Sequence, residues 1–267
     1  MNNNIINHNI GYQLEDKDII DYQVWTLDKI NWAIRGPKPV DINKKYFVSI
    51  GAAGTFGRYC QRPYTQQLSD SIGINGLNLG VSGAGPSYFN QHKYIFDFIN
   101  KAEFCIIEIF SGRSIYNDLL ELGKNQGQVR YKNSDSTFQM AEYIYREILK
   151  DKNLAENIKI QNRINYLNEM EILFNNIKTN KILLYLSTRT PEYEELYTDI
   201  KSYWGGFPHF INRDMITHMN ILCSNYVECV CADGLPYKIK DKIINNYYHS
   251  QEMHDYAYKK LYEYTNK

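Results

Sequence analysis

Phe104-Cys-Ile-Ile-Glu-Ile-Phe110 is apolar at every position but one and ends in Ser111-Gly-Arg-Ser114. A run of that length without polar alternation suits a strand covered on both faces, as in the middle of a parallel sheet. Lys181-Ile-Leu-Leu-Tyr-Leu-Ser187 repeats the pattern and leads into a loop with Arg189 and Pro191. Two further strand-like runs end in small residues. Tyr46-Phe-Val-Ser-Ile50 enters Gly51-Ala-Ala-Gly-Thr-Phe-Gly57, and Gly76-Leu-Asn-Leu-Gly80 enters Val81-Ser-Gly-Ala-Gly-Pro86. Helical periodicity over residues 64–72, 88–100, 137–178 (two helices parting near 151–157), 214–224 and 249–264 fills the intervals, with a further strand at 226–231. The alternation predicts an α/β fold, a three-layer doubly wound parallel sheet with helices on both faces. In such a sheet the ligand lies beyond the carboxyl ends of the strands, here the loops around 51–58, 78–85 and 111–117.

The 267 residues suffice for one large core, read as a single α/β domain. Residues 1–40 are polar and irregular and read as an N-terminal arm packed on the surface, with an amphipathic piece near 22–34 that suits a helix. Residues 121–178 read as a helical insertion that could cap the cleft, beginning with a loop over 121–135. Lys and Arg total 30, as do Asp and Glu, so no global field draws the chain to nucleic acid or an anionic membrane. Five scattered cysteines, Cys60, Cys105, Cys223, Cys229 and Cys231, make no disulfide framework. Cys229 and Cys231 have no partners at zinc-binding spacing, so buried thiols are expected and no metal site. With no signal-like N-terminus and no long apolar stretch, the expectation is a cytoplasmic protein without a membrane span. The 24 tyrosines would suit a polar, ring-shaped ligand such as a sugar, although a compositional bias toward Asn, Ile, Lys and Tyr explains them as well.

The loop at 51–58 follows a strand and precedes a helix, so Gly54, Gly57 and Arg58 could hold an anion with Thr55 beside them. It lacks both the P-loop and the dinucleotide-binding glycine patterns. Its Gly51-Ala-Ala-Gly-Thr-Phe-Gly57 aligns with the first block of the SGNH (GDSL-like) hydrolases, and the whole pattern resembles that superfamily. Asn78-Leu-Gly80-Val-Ser82-Gly83 is similar to the second block, Asn117-Asp118 stands loosely for the third, and Asn246-Tyr-Tyr-His249 for the last. The likeness spans roughly residues 46–118 and 246–264. It implies an SGNH- or flavodoxin-like sheet, His249 as catalytic base, Gly80 as an oxyanion donor, and Asn117 and Thr55 in the site. Asn78, Ser82, Gly83 and His254 would line the substrate.

Three positions depart from that pattern. Ala53 stands where the nucleophilic serine belongs, Ala52 where the preceding Asp belongs, and Asn246 where the base-orienting Asp belongs. Alanine cannot attack a carbonyl, so a serine-esterase mechanism requires Thr55, Ser82 or Ser111 as a substitute. The reading that remains is group transfer to a glycan or other hydroxyl, as in surface-polysaccharide biosynthesis. His249 would deprotonate the acceptor directly, and Gly54 and Gly80 would stabilise developing charge.

No tightly bound cofactor is expected, but a nucleotide-type group donor is possible, and the partners are small molecules or glycans. A second reading is a sulfotransferase, with Gly54, Thr55 and Arg58 as the phosphosulfate cradle and Ser111, Arg113 and Ser114 on the nucleotide. Against it, Arg113 could simply pair with Asp118 or Glu108. A third reading is a non-catalytic carbohydrate-binding module on a degenerate scaffold. His209 and His218 read as surface or satisfied core residues. Glu192, Glu194 and Glu195 read as a solvated cluster.

Overall fold

The computed structural model describes residues 8–30, 32–37, 40–123, 127–223, 225–240 and 243–266. The first half runs α1 (His8–Glu15), β1 (Tyr46–Ile50), the single turn α2 (Ala53–Phe56), α3 (Tyr64–Ile72), β2 (Asn75–Asn78), α4 (Pro86–Gln91), α5 (Phe96–Ile99) and β3 (Phe104–Glu108). A small antiparallel sheet follows, made of β4 (Leu120–Leu122), β5 (Gln128–Tyr131) and β6 (Gln139–Met140). Then come α6 (Ala141–Ile148), α7 (Lys152–Asn176), β7 (Asn180–Ser187), α8 (Ile200–Trp204), α9 (Arg213–Cys223) and β8 (Tyr226–Val230). The hairpin of β9 (Tyr237–Ile239) and β10 (Ile243–Asn245) precedes α10 (Gln251–Thr265).

The main sheet is parallel throughout, in the order β2-β1-β3-β7-β8. Counting its strands along the chain, this is the flavodoxin-like order 2-1-3-4-5, and the order reverses between β1 and β3. The loops after these two strands therefore splay apart and leave a crevice.

Strand alternation assigns the side chains to faces. Val48, Ile50, Cys105, Ile107, Leu183 and Tyr185 join a core with Tyr88, Phe89, Tyr166 and Met219, under α4, α7 and α9. Phe47, Ile106, Leu184 and Leu186 join a second core with Tyr64, Leu68, Met253 and Leu261, under α3 and α10. Glu108 has the parity of Ile106 and so points to the α3 and α10 side, although it lies in an otherwise apolar strand and is 1% exposed.

The α/β sheet predicted from the apolar runs is present, and four local expectations are corrected. Residues 22–34 are not helical: Trp25 and Ile34 form an isolated antiparallel bridge, with Tyr22, Trp32 and Ile34 fully buried. The described part of the arm is thus woven into the core, held by Asn9 to the carbonyls of Ala33 and Gly80 and by Arg35 to those of Tyr22 and Cys60. The stretch expected as a loop at 121–135 holds the end of β4 and all of β5, and residues 124–126 lie outside the described part. The helix expected at 88–100 is broken into α4, a 3-10 turn at Lys93–Ile95, and α5.

The insertion has a core of its own, in which Leu120, Val129, Tyr145 and Ile158 pack with Tyr203 and Phe210. The C-terminal half of α7 belongs instead to the main core through Tyr166, Met170 and Leu173. It is the ordinary crossover from β3 to β7. Cys60, Cys105, Cys223 and Cys229 are buried free thiols and Cys231 is half-buried. Among the described residues no helix is long and apolar enough to cross a membrane.

Candidate functional site

A cavity of about 360 Å³ opens where the sheet order reverses. Its floor is Ala52, Ala53 and Gly54 after β1. Its walls come from Ser82 and Gly83 after β2, Ser111, Arg113 and Ser114 after β3, Phe207, and Tyr247, Tyr248 and His249 before α10. Tyr12 of α1 closes one side, and Met140 and Glu142 of the insertion close another.

His249 immediately precedes the N-cap Ser250, whose side chain accepts from Met253 N at 3.2 Å. The turn before it is fixed by Asn245, whose side chain accepts from the amides of Tyr247 and Tyr248 and donates to the Tyr248 carbonyl. Asn246 is exposed. No carboxylate stands three residues before the histidine; the carboxylate that faces it is Glu108, with Nδ1 of His249 lying 3.6 Å from Glu108 Oε1. Neither of these buried atoms has a hydrogen-bond partner. The other carboxylate oxygen, Oε2, accepts from Thr55 Oγ1 at 2.5 Å, and Thr55 Oγ1 also meets the Tyr64 hydroxyl at 2.9 Å. With Nδ1 turned to Glu108, Nε2 is the ring nitrogen left to the cavity.

Gly54 makes this approach possible. A Cβ there would lie 2.2 Å from Glu108 Oε1 and 2.6 Å from His249 Nδ1.

Burial raises the Glu108 carboxyl to about 7, against the lowering effect of the Thr55 hydrogen bond. Burial lowers His249 to about 4. The two shifts have opposite consequences for stability. The Glu108 contribution is complete below its ordinary value of 4.5 and is lost as pH rises through about 7. The His249 contribution is complete above its ordinary value of 6.5 and is lost as pH falls through about 4. Between 4.5 and 6.5 the folded and unfolded pair each carry one proton, so the two effects cancel.

Glu108→Gln removes one side of that balance. Its stability is expected to fall by about 1.4 kcal/mol per pH unit as pH drops from 6.5 to 4.5, where the wild type shows no such slope from this pair. Denaturant titrations of both proteins at several pH values measure the difference. Parallel slopes would show that the pair does not titrate in this way.

Several residues predicted for the site are structural. The Gly80 amide donates to Asn78 Oδ1 at 3.0 Å, and a Cβ at Gly80 would lie 2.3 Å from Phe56 N. Gly80 is therefore no free oxyanion donor, and Asn78, which also donates to the Thr55 carbonyl at 2.7 Å, locks the first two loops together. Thr55 is fully buried behind the floor and acts on Glu108 rather than on a ligand. Gly57 ends α2 in the left-handed conformation, φ 79°.

Arg58 is spent on Asp16, Glu15 and the Tyr248 hydroxyl, fastening α1 to the Tyr248 wall. Asn117 caps the turn into β4 by accepting from Leu119 N and Leu120 N, and donates to Asn162. His254 is buried against the Tyr64 ring and accepts from Tyr64 N at 3.3 Å.

Gly54, Ser82, Gly83, Ser111, Arg113, Ser114 and His249 are brought together around the cavity. Ser82 shares a hydrogen bond with the Tyr12 hydroxyl. Arg113 donates to the Tyr247 hydroxyl and lies over the Trp204 and Tyr247 rings, at 5.3 and 5.5 Å. It has no ion pair with Asp118 or Glu108. Ser111 is bonded to His209, so of the two expectations for that histidine, surface or satisfied core, the core one is met. Glu195 is no solvated charge either, since it pairs with Lys159 and Arg163.

The sequence does not assign Glu108, His209, Tyr12 or the Tyr247–Tyr248 wall to the site. Glu108 alone left a signal, a carboxylate inside an apolar strand, which is costly unless something compensates it. Among the described residues no group of three or more metal-ligating side chains converges.

The chain resembles the SGNH (GDSL-like) hydrolases. Its residues 10–125 match a family model described as a domain of unknown function, DUF6473. No curated protein matches the chain.

Similar solved structures include a protein from Desulfitobacterium hafniense DCB-2 described as lipolytic and of the G-D-S-L family. It has 14% identity and a TM-score of 0.42 over 82% of this chain and 99% of that one. An acetylxylan esterase from Geobacillus stearothermophilus has 10% identity and a TM-score of 0.46, over 82% and 93%. A carbohydrate esterase family 2 enzyme with a carbohydrate-binding domain, from Corynascus, has 12% identity and a TM-score of 0.44, over 86% and 66%. The fold assignment stands on the 2-1-3-4-5 order of the sheet itself.

Proposed function

We propose that this site activates a hydroxyl, of a glycan or of water, for attack on an acyl-type donor, with His249 as the base. The observation that carries this reading is the carboxylate of Glu108, buried behind the cavity and facing Nδ1 of the cavity-lining His249. A carboxylate there favours the Nδ1–H tautomer, leaves Nε2 bare toward the cavity, and stabilises the imidazolium once Nε2 takes a proton. Ala53 leaves no nucleophile at the floor, so in its simplest form the transfer is direct, from donor to acceptor.

The rings of Tyr12, Tyr247, Tyr248 and Phe207 offer apolar faces, and the tyrosines add hydroxyls, which suits a sugar acceptor. Decoration of a surface polysaccharide is the kind of process that would use such a reaction. Arg113, with no carboxylate partner among the described residues, is placed to hold an anionic part of the donor.

The sulfotransferase reading fares less well on the same geometry. Its cradle would need Arg58, which Asp16 and Glu15 already occupy, and a long helix, where α2 has 4 residues.

The test is turnover of acyl thioesters and activated esters, with and without glycan acceptors. Wild type is expected to turn over such a donor, and His249→Gln to lose turnover while keeping its melting temperature. Glycan binding without turnover, unaffected by His249→Gln, would make the site a binding module and overturn the reading. Arg113→Ala is expected to weaken an anionic donor by about 10- to 100-fold in Kd, measured by titration calorimetry. An unchanged Kd would remove Arg113 from the donor site.

A further inference from the structure

We infer that Ser111 and His209 form a second reactive pair in this cavity, and that Ser111 takes the acyl group covalently before the acceptor receives it. Ser111 Oγ lies 2.8 Å from His209 Nδ1, and Ser111 lines the cavity. The pair is held at both ends. Gly112 N donates to the His209 carbonyl at 2.9 Å, and Arg113 N approaches Ser111 Oγ at 3.4 Å.

The His209 ring is set between aromatic neighbours, 5.3 Å from Trp204 and 6.0 Å from Phe207 by centroid. Phe207 is in turn 5.3 Å from the His249 ring, so one aromatic side chain neighbours both histidines. Burial, with Arg113 and Arg189 nearby, keeps His209 well below its ordinary range and therefore neutral. A neutral imidazole bonded to a serine hydroxyl is the unit that makes serine a nucleophile, whatever the position of that serine in the chain.

Ser111 Oγ bonds to the acyl carbon of an ester or thioester while its proton passes to His209 Nδ1. The bond from that carbon to the leaving oxygen or sulfur breaks, and the leaving atom takes the proton from His209. In the second half the acceptor oxygen attacks the acyl-Ser111 carbon as His249 Nε2 removes the acceptor's proton. The Ser111 Oγ–carbon bond breaks, Oγ takes a proton from solvent, and His249 returns its own to solvent. The second half rests on the reading of His249 above, whereas the first does not. The direct transfer is thereby replaced by two displacements, one for each histidine.

The experiment uses the full chain with p-nitrophenyl acetate, following nitrophenolate release in the first turnover and the mass of the intact protein. A fluorophosphonate serves as a second probe of serine reactivity. The expected result is a burst of about one nitrophenolate per chain, with one acetyl group mapped to Ser111 by peptide mass. Ser111→Ala is expected to abolish the adduct, and His209→Gln to slow the burst by about 100-fold. In His249→Gln the burst is expected to remain and the acetyl group to persist.

If neither probe modifies Ser111, or the label maps elsewhere, the inference is overturned. Turnover that still needs His249 would then leave the direct reading standing. Label on Ser111 with deacylation unaffected by His249→Gln would instead overturn the role given to His249.

Discussion

Glu108→Gln is expected to lower turnover by about 10²- to 10⁴-fold while the protein stays folded at neutral pH. Glutamine keeps the shape of the side chain, and its amide carbonyl can still accept from Thr55. What it loses is the negative charge 3.6 Å from His249 Nδ1. Without that charge an imidazolium would form in a fully buried ring whose protonation burial already disfavours. The amide N–H₂ can also donate to Nδ1, which moves the ring proton to Nε2 and blocks the base.

The pH profile separates this account from a merely structural one. In the wild type the rate should rise with pH as Glu108 ionises, with a midpoint at about 7. The residual activity of Glu108→Gln should lack that limb. Glu108→Asp, which restores a charge on a shorter stem, should recover part of the rate. A wild-type profile flat from pH 5 to pH 9, or an unchanged rate in Glu108→Gln, would remove Glu108 from the mechanism.

The second large effect is expected at Gly54. Its Cα lies against the pair itself, and an added methyl would sit 2.2 Å from Glu108 Oε1 and 2.7 Å from His249 Cε1. Both are outer parts of side chains, so the structure can yield, but only by driving Glu108 and His249 apart. Gly54→Ala should therefore cost turnover by about 100-fold or more with a stability loss of about 1–3 kcal/mol.

Gly80→Ala is the control that tells site from scaffold. There the methyl would meet backbone, with Phe56 N at 2.3 Å and Phe56 Cα at 2.8 Å, and backbone cannot rotate away. That variant should lose more in stability than Gly54→Ala. Turnover measured on its folded fraction should fall less. Equal losses in both properties at both positions would mean that the floor of the cavity is one rigid unit and that Gly54 has no special relation to the dyad.

Much of the fold can be read from residues alone. Continuous apolar runs at 104–110 and 181–187 can be satisfied by burial on both faces, and that requirement leads to a parallel sheet flanked by helices. Small residues after β1 and β2 mark tight strand exits, which located the crevice at the ends of those strands. His249 is legible through the resemblance of Asn246–His249 to the last block of the SGNH hydrolases, a local pattern that survives folding. The antiparallel β4–β5–β6 unit was missed because strands of 3, 4 and 2 residues carry too few side chains to show a period. The arm looked superficial because its burial is achieved by scattered contacts, such as Asn9 with Gly80 and Arg58 with Asp16, which have no local signature.

The chain's own order of residues thus determined the layered architecture, the end of the sheet that holds the site, and the absence of a serine at position 53. Tertiary structure alone decided what replaces the missing parts. Glu108 and His249 are 141 positions apart, and Ser111 and His209 are 98 apart. Neither pair has a spacing to recognise. Each exists because β3 lies between β1 and β7, which brings the end of β3 under the entrance to α10 and beside the loop that follows α8. A sequence displays neighbours along the chain, but hydrogen bonding between parallel strands sets which distant residues share a cavity.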